Sequence, residues 1–125
     1  GPFNYKIPDT PVVNNTAGSI VGYKYFNFDK LSKSKDIMLE LSLIPGGVDG
    51  EIVIMTDSPY ESKGGKVAGS VKLDAAMPQT MTTLCAKLDS AVAKVKGKHA
   101  LYFLFRSSSE GESLCDLFSF KFVNK

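Results

Sequence analysis

Apolar and polar residues alternate with a period of two through most of this chain, and that pattern leaves few folds open. In "DIMLELSLI", Ile37, Leu39, Leu41 and Leu43 fall on one face and Met38, Glu40 and Ser42 on the other. Side chains of a strand point alternately to the two faces of its sheet, so this is a half-buried strand. "GEIVIMTD" offers Ile52, Ile54 and Thr56 to one side, "KVAGSVKL" offers Val67, Val71 and Leu73, and "CDLFSFKF" offers Phe118, Phe120 and Phe122. "IVGYKYFNF" alternates through Val21 and Tyr23, then slips by one residue to Phe26 and Phe28, which predicts a bulge. Turn-formers separate the runs: "PGGVDG", "DSPYESKGG", "DAAMPQ" and "RSSSEGES". The helix candidate, "LDSAVAKVKG", is short, ends at Gly97 and reads as a loop with at most one helical turn. Seven strands spaced in this way predict an all-β fold, an antiparallel sandwich of two sheets.

A chain of 125 residues makes one domain large enough for a core. With 43% hydrophobic and 22% charged residues it has globular rather than disordered composition. Residues 1–13 read as an N-terminal segment with a possible first strand, and residues 14–125 as a single sandwich domain. Gly1-Pro2 has the look of a tag remnant, which makes an excised domain the expectation. The net charge of +2 is carried almost wholly by lysine, and Lys66, Lys72, Lys87 and Lys121 alternate with apolar neighbours. That is the pattern of solvated strand faces, and no nucleic-acid partner is expected, because such binders cluster their arginines. No apolar run approaches the ~20 residues of a membrane helix, so no membrane partner is expected either.

The stretch at 97–122 holds the only histidine, His99, the only arginine, Arg106, one of two cysteines, Cys115, and the carboxylate Asp116. It invites a catalytic reading. Cysteine catalysis needs thiolate and imidazole within hydrogen-bond reach, and alternation puts Cys115 and Asp116 on opposite faces. "HALYFLF", apolar on both faces, instead predicts the middle of a sheet covered on both sides, with a structural histidine at its start. One histidine and two distant cysteines have no zinc-ligand spacing. Asp57, Glu61, Asp74 and Glu112 fall in loops at strand ends, and "SKGGK" lacks the strand–loop–helix setting of a phosphate loop. The chain is therefore expected not to be an enzyme. Cys85 and Cys115 fit either free thiols or one disulfide.

In order along the chain, "GSIVGYKYFNF", "GVDGEIVIMTDSP", "GGKVAGSVKL", "PQTMTTLCAKL", "GKHALYFLF" and "LCDLFSFKF" resemble the strands of family 6 carbohydrate-binding modules, covering residues 18–122. The resemblance implies a jelly-roll, a non-catalytic sugar-binding role beside a parent glycoside hydrolase in the same chain, and a secreted setting, extracellular, periplasmic or at the cell surface. It implies one structural calcium at Asp116, held with acidic residues of the first strand, where "FNYKIPDT" offers only Asp9. In the family, sugars stack between loop aromatics beside an asparagine. Here Pro78 and Met81 stand where tryptophans are expected, and Leu114 where the asparagine is.

If strands alternate in direction, the loops at 14–19, 45–49, 74–79 and 106–113 share one end, and none contains an aromatic residue. Polysaccharide or oligosaccharide bound there would be recognised by hydrogen bonds from Asn15, Gln79, Arg106 and Glu112. Arg106 leads because its planar guanidinium can fork onto two oxygens. The alternative platform is a sheet face with Tyr102, Tyr25 and Tyr23; Tyr60, in "SPYESKGG", is an exposed aromatic at the other end. A degenerate module serving as a spacer or docking domain is the competing expectation.

Overall fold

The structure is a computed structural model that describes residues 3–6, 12–29, 36–89, 96–107 and 111–124. Among these there is no α-helix, only a single 3-10 turn at Glu61–Lys63. Of the helix candidate, residues 90–95 lie outside the described residues.

Nine strands form two antiparallel sheets among the described residues. They are β1 (Phe3–Lys6), β2 (Val12–Thr16), β3 (Ile20–Asn27), β4 (Ile37–Pro45), β5 (Gly50–Thr56), β6 (Lys66–Leu73), β7 (Thr82–Lys87), β8 (Lys98–Arg106) and β9 (Ser113–Asn124). One sheet runs β1–β9–β4–β7, with β2 also paired to β9; the other runs β3–β8–β5–β6. The division at residues 13 and 14 falls inside β2, which pairs Val12 with Leu117 and Thr16 with Ser113. The predicted all-β, two-sheet sandwich is the fold observed.

Alternation places the core. Ile37, Leu39, Leu41 and Leu43 of β4 are buried between the sheets, facing Ile52 and Ile54 of β5, Leu101, Phe103 and Phe105 of β8, and Phe120 and Phe122 of β9. Tyr23, Phe26, Phe103, Phe120 and Phe122 pack edge-to-face or tilted, with ring centroids 5.1 to 6.4 Å apart, a geometry aromatic pairs favour. On the other face of β8, Leu104 is buried with Val53 and Met55 in a second, smaller cluster, against which the partly buried Tyr102 packs.

The predicted bulge in β3 lies between Tyr23 and Phe26. Two further irregularities correct the simple alternation. Between Ile54 and Met55 the partner register jumps from Gly69 to Val67, so Ala68 turns inward and Val67 is left 43% exposed. Opposite Ser42 and Leu43 the register jumps from Ser119 to Leu117, so Leu117 fills the core and Phe118 is only partly buried. Each extra residue reverses the facing of everything beyond it.

Candidate functional site

Four loops cross from one sheet to the other at the same end of the sandwich, at residues 17–19, 46–49, 74–81 and 107–112, of which 108–110 lie outside the described residues. They are knitted by hydrogen bonds. The Gly18 N–H donates to the Phe105 carbonyl (2.7 Å), and the Gly46 N–H to the Leu114 carbonyl (2.7 Å). Asp49 is the hub: its Oδ1 accepts from the Ala75 N–H (2.7 Å), and its carbonyl accepts from the Ser107 hydroxyl (2.6 Å). Gly46 is required where it stands, since a Cβ there would sit on the Ser113 carbonyl.

Two clefts at this end are lined by described residues. The larger, about 510 Å³, is lined by Asp49, Gly50, Glu51, Lys72, Leu73, Arg106 and Ser107. Its floor is a row of cross-strand partners: Glu51 on β5 is opposite Arg106 on β8 and Lys72 on β6. Strands lie roughly 4.8 Å apart, so the backbones that carry Arg106 and Lys72 are about 10 Å apart with that of Glu51 between them. Among the described residues the ion pairs are Lys87–Asp36, Lys121–Glu40 and His99–Asp57, and none joins Glu51 to Arg106 or Lys72. The smaller cleft, about 230 Å³, lies on the other sheet's side and is lined by Ile44, Pro45, Gly46, Gln79, Ser113 and Asp116. No aromatic side chain lines either cleft among the described residues.

The candidates from the sequence are thus dispersed. Arg106 lies in the larger cleft and Gln79 in the smaller, its amide lying against Gly47. Glu112 is exposed and lines neither. Asn15 corrects the loop boundary: β2 continues to Thr16, and the buried Asn15 amide donates to the Cys115 carbonyl (3.2 Å), tying β2 to β9. Tyr102 lies on the outer face of the second sheet over Gly22, close enough that a Cβ there would be 2.9 Å from its ring. Tyr25, in the β3 bulge, is 63% exposed. Tyr23 is a correction: it faces the core, its Oη is buried without a hydrogen-bond partner among the described residues, and burial raises its pKa. Tyr60, 49% exposed, stands at the opposite end with the Lys63 ammonium 5.5 Å from its ring. Glu51, Lys72 and Asp49 were missed by sequence reasoning, because only the strand pairing brings them beside Arg106.

Among the described residues, His99 and Cys115 are held in separate surroundings. His99 spends both ring nitrogens, Nδ1 at 2.7 Å from Asp57 Oδ1 and Nε2 at 2.8 Å from the Lys96 carbonyl. Cys115 is buried and Cys85 exposed, and both are free thiols. Burial and the Asp116 charge push the Cys115 thiol up to about 12, only partly offset by Asn15, so it is no nucleophile at neutral pH. Among the described residues no three His, Cys, Asp or Glu side chains gather as a metal site. Asp116 would need oxygens beyond its own carboxylate, and Asp9 lies outside the described residues.

No family model and no curated protein matches the chain. Solved structures do. A glycoside hydrolase family 43 arabinoxylan arabinofuranohydrolase from Bacillus subtilis, solved with cellotetraose, superposes at a TM-score of 0.71 with 16% identity over 95% of this chain. The chain spans 23% of that enzyme's length. A family 6 carbohydrate-binding module superposes at 0.61 with 18% identity, over 99% of this chain and 89% of the module. The carbohydrate-binding module of a Cellvibrio mixtus lichenase, solved with cellotriose, superposes at 0.61 with 18% identity, over 98% of this chain and 85% of its own. At such identities the likeness establishes the fold, which is that of family 6 carbohydrate-binding modules.

Proposed function

We propose that the chain is a non-catalytic carbohydrate-binding module that takes a plant-type oligosaccharide or polysaccharide in its loop-end cleft and holds an attached glycoside hydrolase near that polymer. The observation that carries this reading is the cleft of about 510 Å³ with Arg106, Glu51 and Lys72 across its floor, on this fold. A sugar hydroxyl both donates and accepts, and alternating cation, carboxylate and cation offer both kinds of partner. Charge-assisted hydrogen bonds are the stronger kind, and the arginine fork can span adjacent hydroxyls. The solved neighbours that hold cello-oligosaccharides support a carbohydrate ligand, and the Bacillus subtilis enzyme supports a parent hydrolase. A polysaccharide ligand also supports a secreted setting for the module, extracellular, periplasmic or at the cell surface.

Affinity electrophoresis through gels containing soluble arabinoxylan, xylan or mixed-linkage β-glucan tests this. The wild-type chain is retarded by at least one polymer, and Arg106→Ala weakens retardation about tenfold, the size of a lost hydrogen bond to a charged group, ~1.5 kcal/mol. Retardation unchanged by Arg106→Ala and Glu51→Ala would move the ligand elsewhere, Tyr102 and Tyr25 on the sheet face being the next candidates. A second reading, a spacer or docking domain without sugar affinity, is favoured by the absence of aromatics from both clefts among the described residues. It predicts no retardation by any polymer while the domain remains folded.

A further inference from the structure

At the end of the sandwich opposite the clefts, His99 sits between two hydrogen-bond acceptors. Its Nδ1 faces the Asp57 carboxylate at 2.7 Å and its Nε2 faces the Lys96 carbonyl at 2.8 Å. Neither an ionised carboxylate nor a carbonyl can donate, and neutral imidazole has only one N–H. Only the imidazolium satisfies both. Its side chain is 16% exposed and the Phe28 ring lies 5.2 Å away, so water does not easily stand in for a missing bond.

We propose that His99 is a proton-operated latch: when protonated it ties the turn at Lys96–Gly97 to the turn that begins at Asp57, and when neutral it keeps Asp57 and releases Lys96. The charged acceptor retains the remaining proton on Nδ1, because that bond is charge-assisted and the one to the carbonyl is not. Nε2 then turns a lone pair towards the Lys96 carbonyl. The neighbouring elements set the balance. Asp57 faces the ring from the β5–β6 turn and is held there in a left-handed conformation, φ 72°. Lys66 of β6 opposes the imidazolium, and Phe28, after β3, contributes no charge. Asp29 accepts the Gly97 N–H at 2.8 Å and so braces the same turn from the β3 side. Burial lowers the imidazole pKa and Lys66 lowers it further, but the Asp57 hydrogen bond, the Lys96 carbonyl and the Asp57 charge outweigh them and leave it above 6.5. A group whose folded pKa is raised contributes its full stabilisation below the unfolded value, near 6.5, and loses it as pH climbs through the folded value. The latch therefore closes in mildly acidic solution.

The chain has one histidine, so its imidazole nitrogens can be followed by NMR through a pH titration without ambiguity. The expected result is a midpoint above 6.5, with the Gly97 and Lys98 amide shifts moving at the same midpoint while the Asp57 amide, bonded to the Ala100 carbonyl at 3.0 Å, moves less. In Asp57→Asn the midpoint falls by about one unit or more and the Gly97 transition follows it; in His99→Gln that transition disappears. A wild-type midpoint at or below 6.5, or an imidazole titration that leaves Gly97 unmoved, overturns the proposal even if neither variant folds.

Discussion

Cys115 and Cys85 show how far one position's surroundings decide its chemistry. Both belong to the same sheet, yet Cys115 faces inward at 1% exposure, opposite Pro45, while Cys85 on β7 is exposed beside Glu40. Sequence spacing leaves open whether they are bridged; the pairing puts β4 between their strands and answers it. A thiol-reactive dye should therefore label one cysteine in the native protein and two after denaturation, with the Cys85→Ser variant unreactive until unfolded. Two fast native thiols, or none, would contradict this placement. Arg106 could be picked out of the sequence as its only arginine. Glu51 and Lys72 could not, because they are ordinary charged residues until pairing makes them its neighbours. Strand alternation puts Asn15 in a loop at 14–19; the structure keeps it in β2, where a polar residue can be buried because the Cys115 carbonyl satisfies it.

Strands were legible wherever alternation is uninterrupted, as in β4, whose buried and part-buried residues alternate from Ile37 to Pro45. They were misread where one extra residue changes the facing. In β6 the slip at Ala68 sends Val67 outward, and in β9 the slip near Phe118 gives the core position to Leu117. A bulge is a product of pairing with the neighbouring strand, and a single strand's sequence carries little trace of it unless the apolar residues themselves slip, as Phe26 and Phe28 do. The consequence is measurable. Phe103, fully buried in the middle of β8 against Tyr23 and Phe120, should cost ~3–5 kcal/mol when changed to alanine. Val67→Ala, on an exposed outer position, should stay within about 0.5 kcal/mol of wild type by denaturant unfolding. Comparable losses at the two positions would place Val67 in the core and refute the slip.

For the whole molecule, the even crossing of strands between sheets gathers four loops at one end, and the sandwich beneath holds their backbones by bonds such as Gly46 to Leu114. That end was foreseeable from strand count and direction; the clefts on it depend on side-chain packing across three strands, which no local pattern encodes. The proposed function requires a glycan at this end, which chemical-shift mapping during titration with cello-, xylo- and arabinoxylo-oligosaccharides would reveal. The predicted result is saturable shifts at Glu51, Lys72, Arg106 and Ser107, weaker shifts around Gln79, and none at Tyr60 on the far end. Shifts confined to Tyr102 and Tyr25, or no shift with any of these sugars, would contradict it.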